Sequence, residues 1–263
     1  MRCQYVRVDF KMGGERMPKY LTKLICGFYY QVLNIDEQIL YKEIGVAVSK
    51  GISCLTVKCT DKNMFRKVCI AIRYDNPEFY YWDMKRSTIN NCHIALIYRF
   101  DNLKTVLDVK KKLREQRMFI KQFCYGMGER SDEEILAYMY VYFSSKIKGT
   151  DEKLLEQERE KWIYDIEGCL LKKSAGCLGI AQSVNYVCKH MNVFSIIIAG
   201  KAEINGSILN HVWNLVKVNG KYRHIDILKD ILEENTGISR HFLLQDTEMS
   251  GYIWRKDIYP KAE

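Results

Sequence analysis

The chain has 263 residues, 48% hydrophobic and 28% charged, with ten cysteines, three prolines and a formal net charge of +9. Those proportions suit a globular protein with one large core or two modest ones and exclude a disordered chain. The longest aliphatic run, Ile196 to Ala199, is too short to span a bilayer, and Met1 to Phe10 lacks the apolar stretch of a signal peptide, so a cytoplasmic protein is expected.

The cysteines are too scattered for a disulfide scaffold and none has metal-ligand spacing, so neither zinc nor any organic cofactor is implied. Charge is unevenly spread. Residues 1–130 hold 24 Lys and Arg against 13 Asp and Glu, while the remainder hold 17 against 19. A basic N-terminal half can face an anionic partner or simply be solvated; Lys110-Lys111-Lys112 lacks the interleaved aromatics of a nucleic-acid platform.

In chain order, Tyr5 to Phe10 reads as a short strand. Pro18 suits the first turn of a helix burying Leu21, Leu24, Ile25, Phe28 and Tyr29. A second helix is expected from Asp36 to Val48, ended by Gly51, then a strand from Cys54 to Cys59. Asp61 starts a helix that stops before Asn76-Pro77. Ile94 to Phe100 reads as a strong strand and Thr105 to Phe123 as an amphipathic helix. Gly126-Met127-Gly128 punctuates the chain, which places a mixed α/β domain at 1–128 and a second domain at 129–263. Ser131-Asp-Glu-Glu134 is a capping box for a helix reaching Ile147, and another helix is expected over Asp151 to Ile166.

Ahead of a helix with apolar positions 180, 181, 184, 187, 188 and 191, Ser174 reads as an N-cap that sets Cys177 in the first turn. There, free amides and the helix dipole stabilise a thiolate. Val193 to Ala199 reads as a buried strand, followed by a loop through Asn205-Gly206. Asn219-Gly220 between alternating runs signals a type I′ hairpin. A two-residue loop makes Val218 oppose Lys221 and Trp213 oppose Asp226, so His211, Trp213, Asp226 and Leu228 share one face. His211 and Asp226 are then diagonal neighbours about 7 Å apart at Cβ, close enough for the carboxylate to orient the imidazole. If the helix of Cys177 packs on that face, its thiol meets the other ring nitrogen.

Gly176-Cys177-x-Gly179-x-Ala181, His211-x-Trp213-Asn214 and Asp226, at intervals of 34 and 15 residues, resemble the transglutaminase-like superfamily, which includes transglutaminases, peptide:N-glycanases and bacterial cysteine peptidases. The resemblance runs from about Ser131 to the C-terminus; Phe242 to Asp246 and Ile258-Tyr259-Pro260 are similar to the closing segment of bacterial members. More weakly, Asp75 to Trp82 is similar to an N-terminal extension of such proteins. It implies an α+β, papain-like or transglutaminase-like domain with the nucleophile helix packed on an antiparallel sheet. It also implies a Cys177–His211–Asp226 triad acting on a protein or peptide amide through a thioester. Three departures stand out. Tyr138-Met-Tyr140 occupies the place of a His-Asp pair, Gly176 replaces a small aliphatic, and Ile227-Leu228-Lys229 replaces Thr-Trp-Asp.

Other readings are open at this level. Trp213 is a cleft wall that can contact substrate, or core packing. Asn214 points to the face away from His211. His224 shares that face nearer the turn and reads as surface or supporting; His93, His190 and His241 read as structural. The aromatic cluster 79–82 reads as core. Asp230 could replace Asp226 only if the hairpin slipped. Hydrolysis is favoured over amine transfer, and a catalytically idle scaffold working through the basic N-terminal half is the alternative.

Overall fold

The computed structural model describes residues 22–126, 128–150, 161–233 and 240–263. The chain divides into two compact units, Met1–Lys110 and Lys111–Glu263. The expected strand at Tyr5 to Phe10 lies outside the described residues.

In the N-terminal unit, α1 (Phe28–Gln31), α2 (Ile35–Ser49) and α3 (Lys62–Asp75) accompany a small antiparallel sheet. Its order is β1 (Cys54–Thr56), β3 (His93–Ala95), β2 (Thr88–Asn90). The helix expected from Pro18 is reduced, among the described residues, to the single turn α1. The Asp75 carboxylate competes for its backbone, accepting from the amides of Gly27, Tyr29 and Tyr30 and from the Tyr41 hydroxyl. Asp61 caps α3 through Asn63 N, as its sequence position predicts. The strand expected to run to Phe100 leaves the ladder at Ala95. Beyond it, Ile97 N donates to Ser87 Oγ, and a single antiparallel bridge pairs Tyr98 with Trp82 through Asp83 N to Ile97 O and Arg99 N to Tyr81 O. Phe79, Tyr80, Tyr81 and Trp82 are buried core.

Helix α4 (Leu103–Tyr125) carries the chain onward. The expected domain limit at 128/129 follows this helix, whereas the division into compact units falls inside it, at 110/111. In the C-terminal unit, α5 (Asp132–Lys146) opens on the expected capping box: Glu134 N donates to Ser131 Oγ at 3.3 Å and Ser131 N to Glu134 Oε2 at 2.9 Å. Of the helix expected over 151–166, residues 151–160 lie outside the described residues, and Lys161–Tyr164 is a 3₁₀ turn.

Ser174 is not the N-cap of the next helix. Ser174–Ala175 (β5) pairs in parallel with Lys148–Gly149 (β4), and the cap of α6 (Cys177–His190) is Gly176. Gly176 is extended and donates its N–H to Ile163 O, so the chain enters the helix one residue before the thiol.

A five-stranded antiparallel sheet backs α6, in the order β10 (Tyr252–Trp254), β6 (Ser195–Ile204), β7 (Ser207–Val218), β8 (Lys221–Ile225), β9 (Phe242–Leu244). Asn205-Gly206, expected as a longer loop, is itself a two-residue hairpin turn with both φ positive. At Asn219-Gly220, φ is 52° and 80°, and the pairs run Val218↔Lys221 to Asn214↔Ile225 in the expected register. The ladder stops one pair short of Trp213 and Asp226, because Asp226 turns away to cap α7 (Ile227–Leu232).

Candidate active site

Cys177 is the first residue of α6 and is partly exposed. Gly179 explains itself by close approach: a Cβ there would lie 2.5 Å from Ile163 O and 3.1 Å from Asp165 O. A side chain at 179 would push away the segment that holds Gly176, and with it the start of the helix. Cys69, Cys124, Cys169 and Cys188 are buried. Burial pushes their thiols up, Cys124 and Cys169 to about 12.

Alternation along β7 puts Asn214 on the face opposite His211 and Trp213, and it is this opposite face that α6 binds. Asn214 Nδ2 donates to Ala181 O at 3.0 Å and lies 3.3 Å from both Asn185 Oδ1 and Ser195 Oγ; Ser195 Oγ donates to Asn185 Oδ1. Packing of the helix on the His211 face was one condition under which the thiol would meet the ring. Asn214 instead ties it to the alternate face, and its N-terminal residue, Cys177, lies near enough to the His211 ring to favour its charged form.

His211 is 3% exposed, and its Nε2 lies 2.7 Å from Asp226 Oδ2. That leaves Nδ1 as the ring nitrogen for the thiol. Asp226 is 3% exposed and fully engaged: Oδ2 also accepts from the Tyr252 hydroxyl at 2.8 Å, and Oδ1 accepts from Lys229 N at 3.2 Å as the N-cap of α7. Burial resists ionisation of both partners, yet each favours the other's charged form. For Asp226 the burial cost is outweighed by His211 and Tyr252, which hold the carboxyl below the usual range. For His211 the burial cost is outweighed by Asp226, then Cys177, and the imidazole is pushed up to about 10. The pair is therefore an imidazolium–carboxylate bridge around neutral pH.

Asp230 is engaged elsewhere. Its Oδ2 accepts from the Tyr140 hydroxyl in a short bond and from His241 N, and the same Tyr140 hydroxyl bonds Asp226 O at 3.2 Å. Tyr140 thus braces the loop carrying Asp226 and Asp230. Trp213 is buried, its indole stacked on the His211 ring with centroids 6.0 Å apart and planes 18° apart. His224, read as surface or supporting, is 1% exposed because β9 and the C-terminal segment cover it. His93 is paired to Thr56 and His190 to the Tyr186 carbonyl; His241 lies between Glu233 and Tyr252. Sequence reading missed Tyr252 altogether. Its only local signal is the alternating Tyr-Ile-Trp run of β10, which says nothing of the carboxylate it serves.

No protein-family model matches the chain, and no curated protein does. Among solved structures it is similar to a TGase at 11% identity, covering 54% of this chain and 43% of that one, with a TM-score of 0.38. It is similar to a putative cysteine protease from Cytophaga hutchinsonii at 12% identity, covering 49% and 44%, with a TM-score of 0.36. It is also similar to an arylamine N-acetyltransferase from Bacillus cereus with a Cys-His-Glu triad at 13% identity, covering 46% and 48%, with a TM-score of 0.32. The chain spans less than half the length of each.

Proposed function

We propose that the chain is a thiol-dependent amide-bond hydrolase or acyl transferase in which Cys177 is the nucleophile, His211 the proton carrier and Asp226 the orienting acid. The observation that carries this reading is the single imidazole of His211, bonded at Nε2 by a buried carboxylate and approached by the thiol of a helix's first residue. The attacking form is the thiolate, which the His211 imidazolium accompanies, and its sulfur adds to the amide carbonyl carbon. The resulting oxyanion is stabilised by the backbone N–H of Cys177 at the helix N-terminus. His211 then gives its Nδ1 proton to the leaving amine as the C–N bond breaks, which leaves a thioester. For hydrolysis, which this reading favours, His211 next takes a proton from water as the water oxygen attacks, and acid and thiolate are released. Asp226 keeps Nε2 protonated throughout.

A protein or peptide carboxamide is the substrate class. The basic N-terminal half, with 24 cationic against 13 acidic residues in 1–130, would draw an anionic partner toward the enzyme. Mass spectrometry after brief treatment with iodoacetamide at pH 6 tests the nucleophile. Cys177 should be modified well ahead of the exposed Cys26 and Cys54, because an ordinary thiol is almost wholly protonated there. His211→Ala should erase that lead. Modification led by Cys26 or Cys54 in the wild-type chain would leave the idle-scaffold alternative standing.

A further inference from the structure

The C-terminal unit contains a second histidine held by an aspartate, and it differs from the first in one respect. Trp213 Nε1 donates to His224 Nδ1 at 3.0 Å, and His224 Nε2 lies 2.8 Å from Asp246 Oδ1. An indole N–H can only donate, so Nδ1 is the bare nitrogen and the ring proton sits on Nε2, facing the carboxylate. Asp246 is fixed in turn: its N–H donates to Ala262 O at 3.0 Å, and its Oδ1 also accepts from Ala262 N at 3.3 Å. Trp254 packs edge-on against both Trp213 and His224, with centroids 5.8 and 5.2 Å away, and Tyr252 packs edge-on against Trp213 at 5.0 Å.

We infer that Asp246, His224 and Trp213 form a second relay that holds the indole parallel to the His211 ring, making His224 and Asp246 positioning residues for the reaction. This rests on the triad reading above. Both histidines have a carboxylate at Nε2. At Nδ1, His211 meets a thiol that can give up its proton, and His224 meets an indole that cannot. One ring is therefore free to cycle its proton, and the other is locked neutral. The charged groups acting on His224 are Asp246 and Lys256; burial first, with Lys256, outweighs Asp246 and holds the ring below its ordinary value. Held in place, the indole lies nearly parallel to the His211 ring with centroids 6.0 Å apart, at the limit of reach for its π system to favour the imidazolium.

The test uses the full chain and reads two quantities as a function of pH. One is the ring NMR signals of both histidines and the other is the carboxamidomethylation rate of Cys177. In the wild-type chain, His224 should appear as the Nε2–H tautomer at pH 7 with the Trp213 indole proton protected from exchange; an Nδ1–H tautomer overturns the relay without any variant. His224→Leu should lower the titration of His211 by roughly half to one and a half pH units and slow Cys177. His224→Gln, whose amide can accept from the indole and donate to Asp246, should restore both. In a Trp213→Phe background, which lacks the N–H, adding His224→Leu should change little. An unshifted His211 in a folded His224→Leu chain, or a full additional shift in the Trp213→Phe background, overturns the relay. If wild-type Cys177 reacts no faster than the exposed thiols, the triad reading falls instead, whatever His224 does.

Discussion

Tyr252 and His211 share one carboxylate oxygen: Asp226 Oδ2 accepts the tyrosine hydroxyl at 2.8 Å and faces the imidazole Nε2 at 2.7 Å. Two donors on one oxygen hold the carboxylate in its charged form and fix its plane against the ring. Tyr252→Phe should therefore raise the Asp226 carboxyl toward its ordinary value and destabilise the chain at pH 7. A hydrogen bond to a charged group is worth about 1.5–3 kcal/mol, which urea denaturation would read. The acid limb of Cys177 reactivity should move to higher pH in the same variant. An unchanged acid limb would mean that the hydroxyl does not help to hold the charge.

Asp226 and Asp230 lie four residues apart and are separable by substitution. Asp226→Asn keeps a good N-cap for α7, but one amide oxygen cannot serve His211, Tyr252 and Lys229 N together. The imidazole is then free to take the wrong tautomer, and turnover on a small amide should fall by about 10³–10⁴. Asp230→Asn still offers Tyr140 an acceptor and should leave turnover within a few-fold of wild type. Equal losses in the two variants would show that the orienting acid is wrongly assigned.

The buried bridge also makes a signed contribution to stability. His211 is raised to about 10, so its contribution is complete below the unfolded value near 6.5 and is lost as pH rises through about 10. Asp226 is lowered, so its contribution is present above about 3.9 and is lost as pH falls through its folded value. The stability difference between wild type and His211→Ala should be largest between about pH 4 and 6.5. It should decline above that range with a slope approaching about 1.4 kcal/mol per pH unit. Urea midpoints at several pH values for both chains check this; a difference that grows toward pH 9 would contradict a bridge with the imidazole protonated.

What could be read in the sequence was local. The capping box at Ser131, the cap at Asp61 and the type I′ turn at Asn219-Gly220 each depend on residues within four positions of one another, and all three appear as expected. The hairpin register carries His211 and Asp226 toward each other as far as the Asn214↔Ile225 pair, and the turn of Asp226 into α7 completes the approach. What escaped was non-local. Ser174 looks like a cap until Lys148 of β4, 26 residues upstream, pairs with it. His224 looks peripheral until β9 and Asp246 cover it. Tyr252 reaches Asp226 across 26 residues, on a strand that borders β6 rather than the hairpin's own partner. The face bound by α6 was likewise decided by Asn214 and Ser195, which are polar and out of phase with His211 and Trp213.

Gly200 in β6 is where this non-local packing is tightest, and it yields a substitution that touches no catalytic group. A Cβ at 200 would stand 2.3 Å from Ile253 O, 2.9 Å from the Trp213 ring and 3.1 Å from Trp254 Cβ. The first obstacle is backbone, held by the Gly200↔Trp254 pair of β10, so no side-chain rotation relieves it. Gly200→Ala should force β10 outward, at a cost of about 1–3 kcal/mol for overpacking. Because β10 carries Tyr252, the displacement should also pull the hydroxyl off Asp226. Gly206→Ala is the control: its φ is 73° with nothing within 4 Å of the added carbon, so it should cost about 1–2 kcal/mol of backbone strain and leave Cys177 reactivity unchanged. The discriminating measurement is Tyr252→Phe made in each background. In the Gly206→Ala chain it should shift the acid limb of Cys177 reactivity as it does in wild type. In the Gly200→Ala chain most of that shift should already have occurred. If the two backgrounds respond alike, β10 is not held in place by the missing side chain at 200.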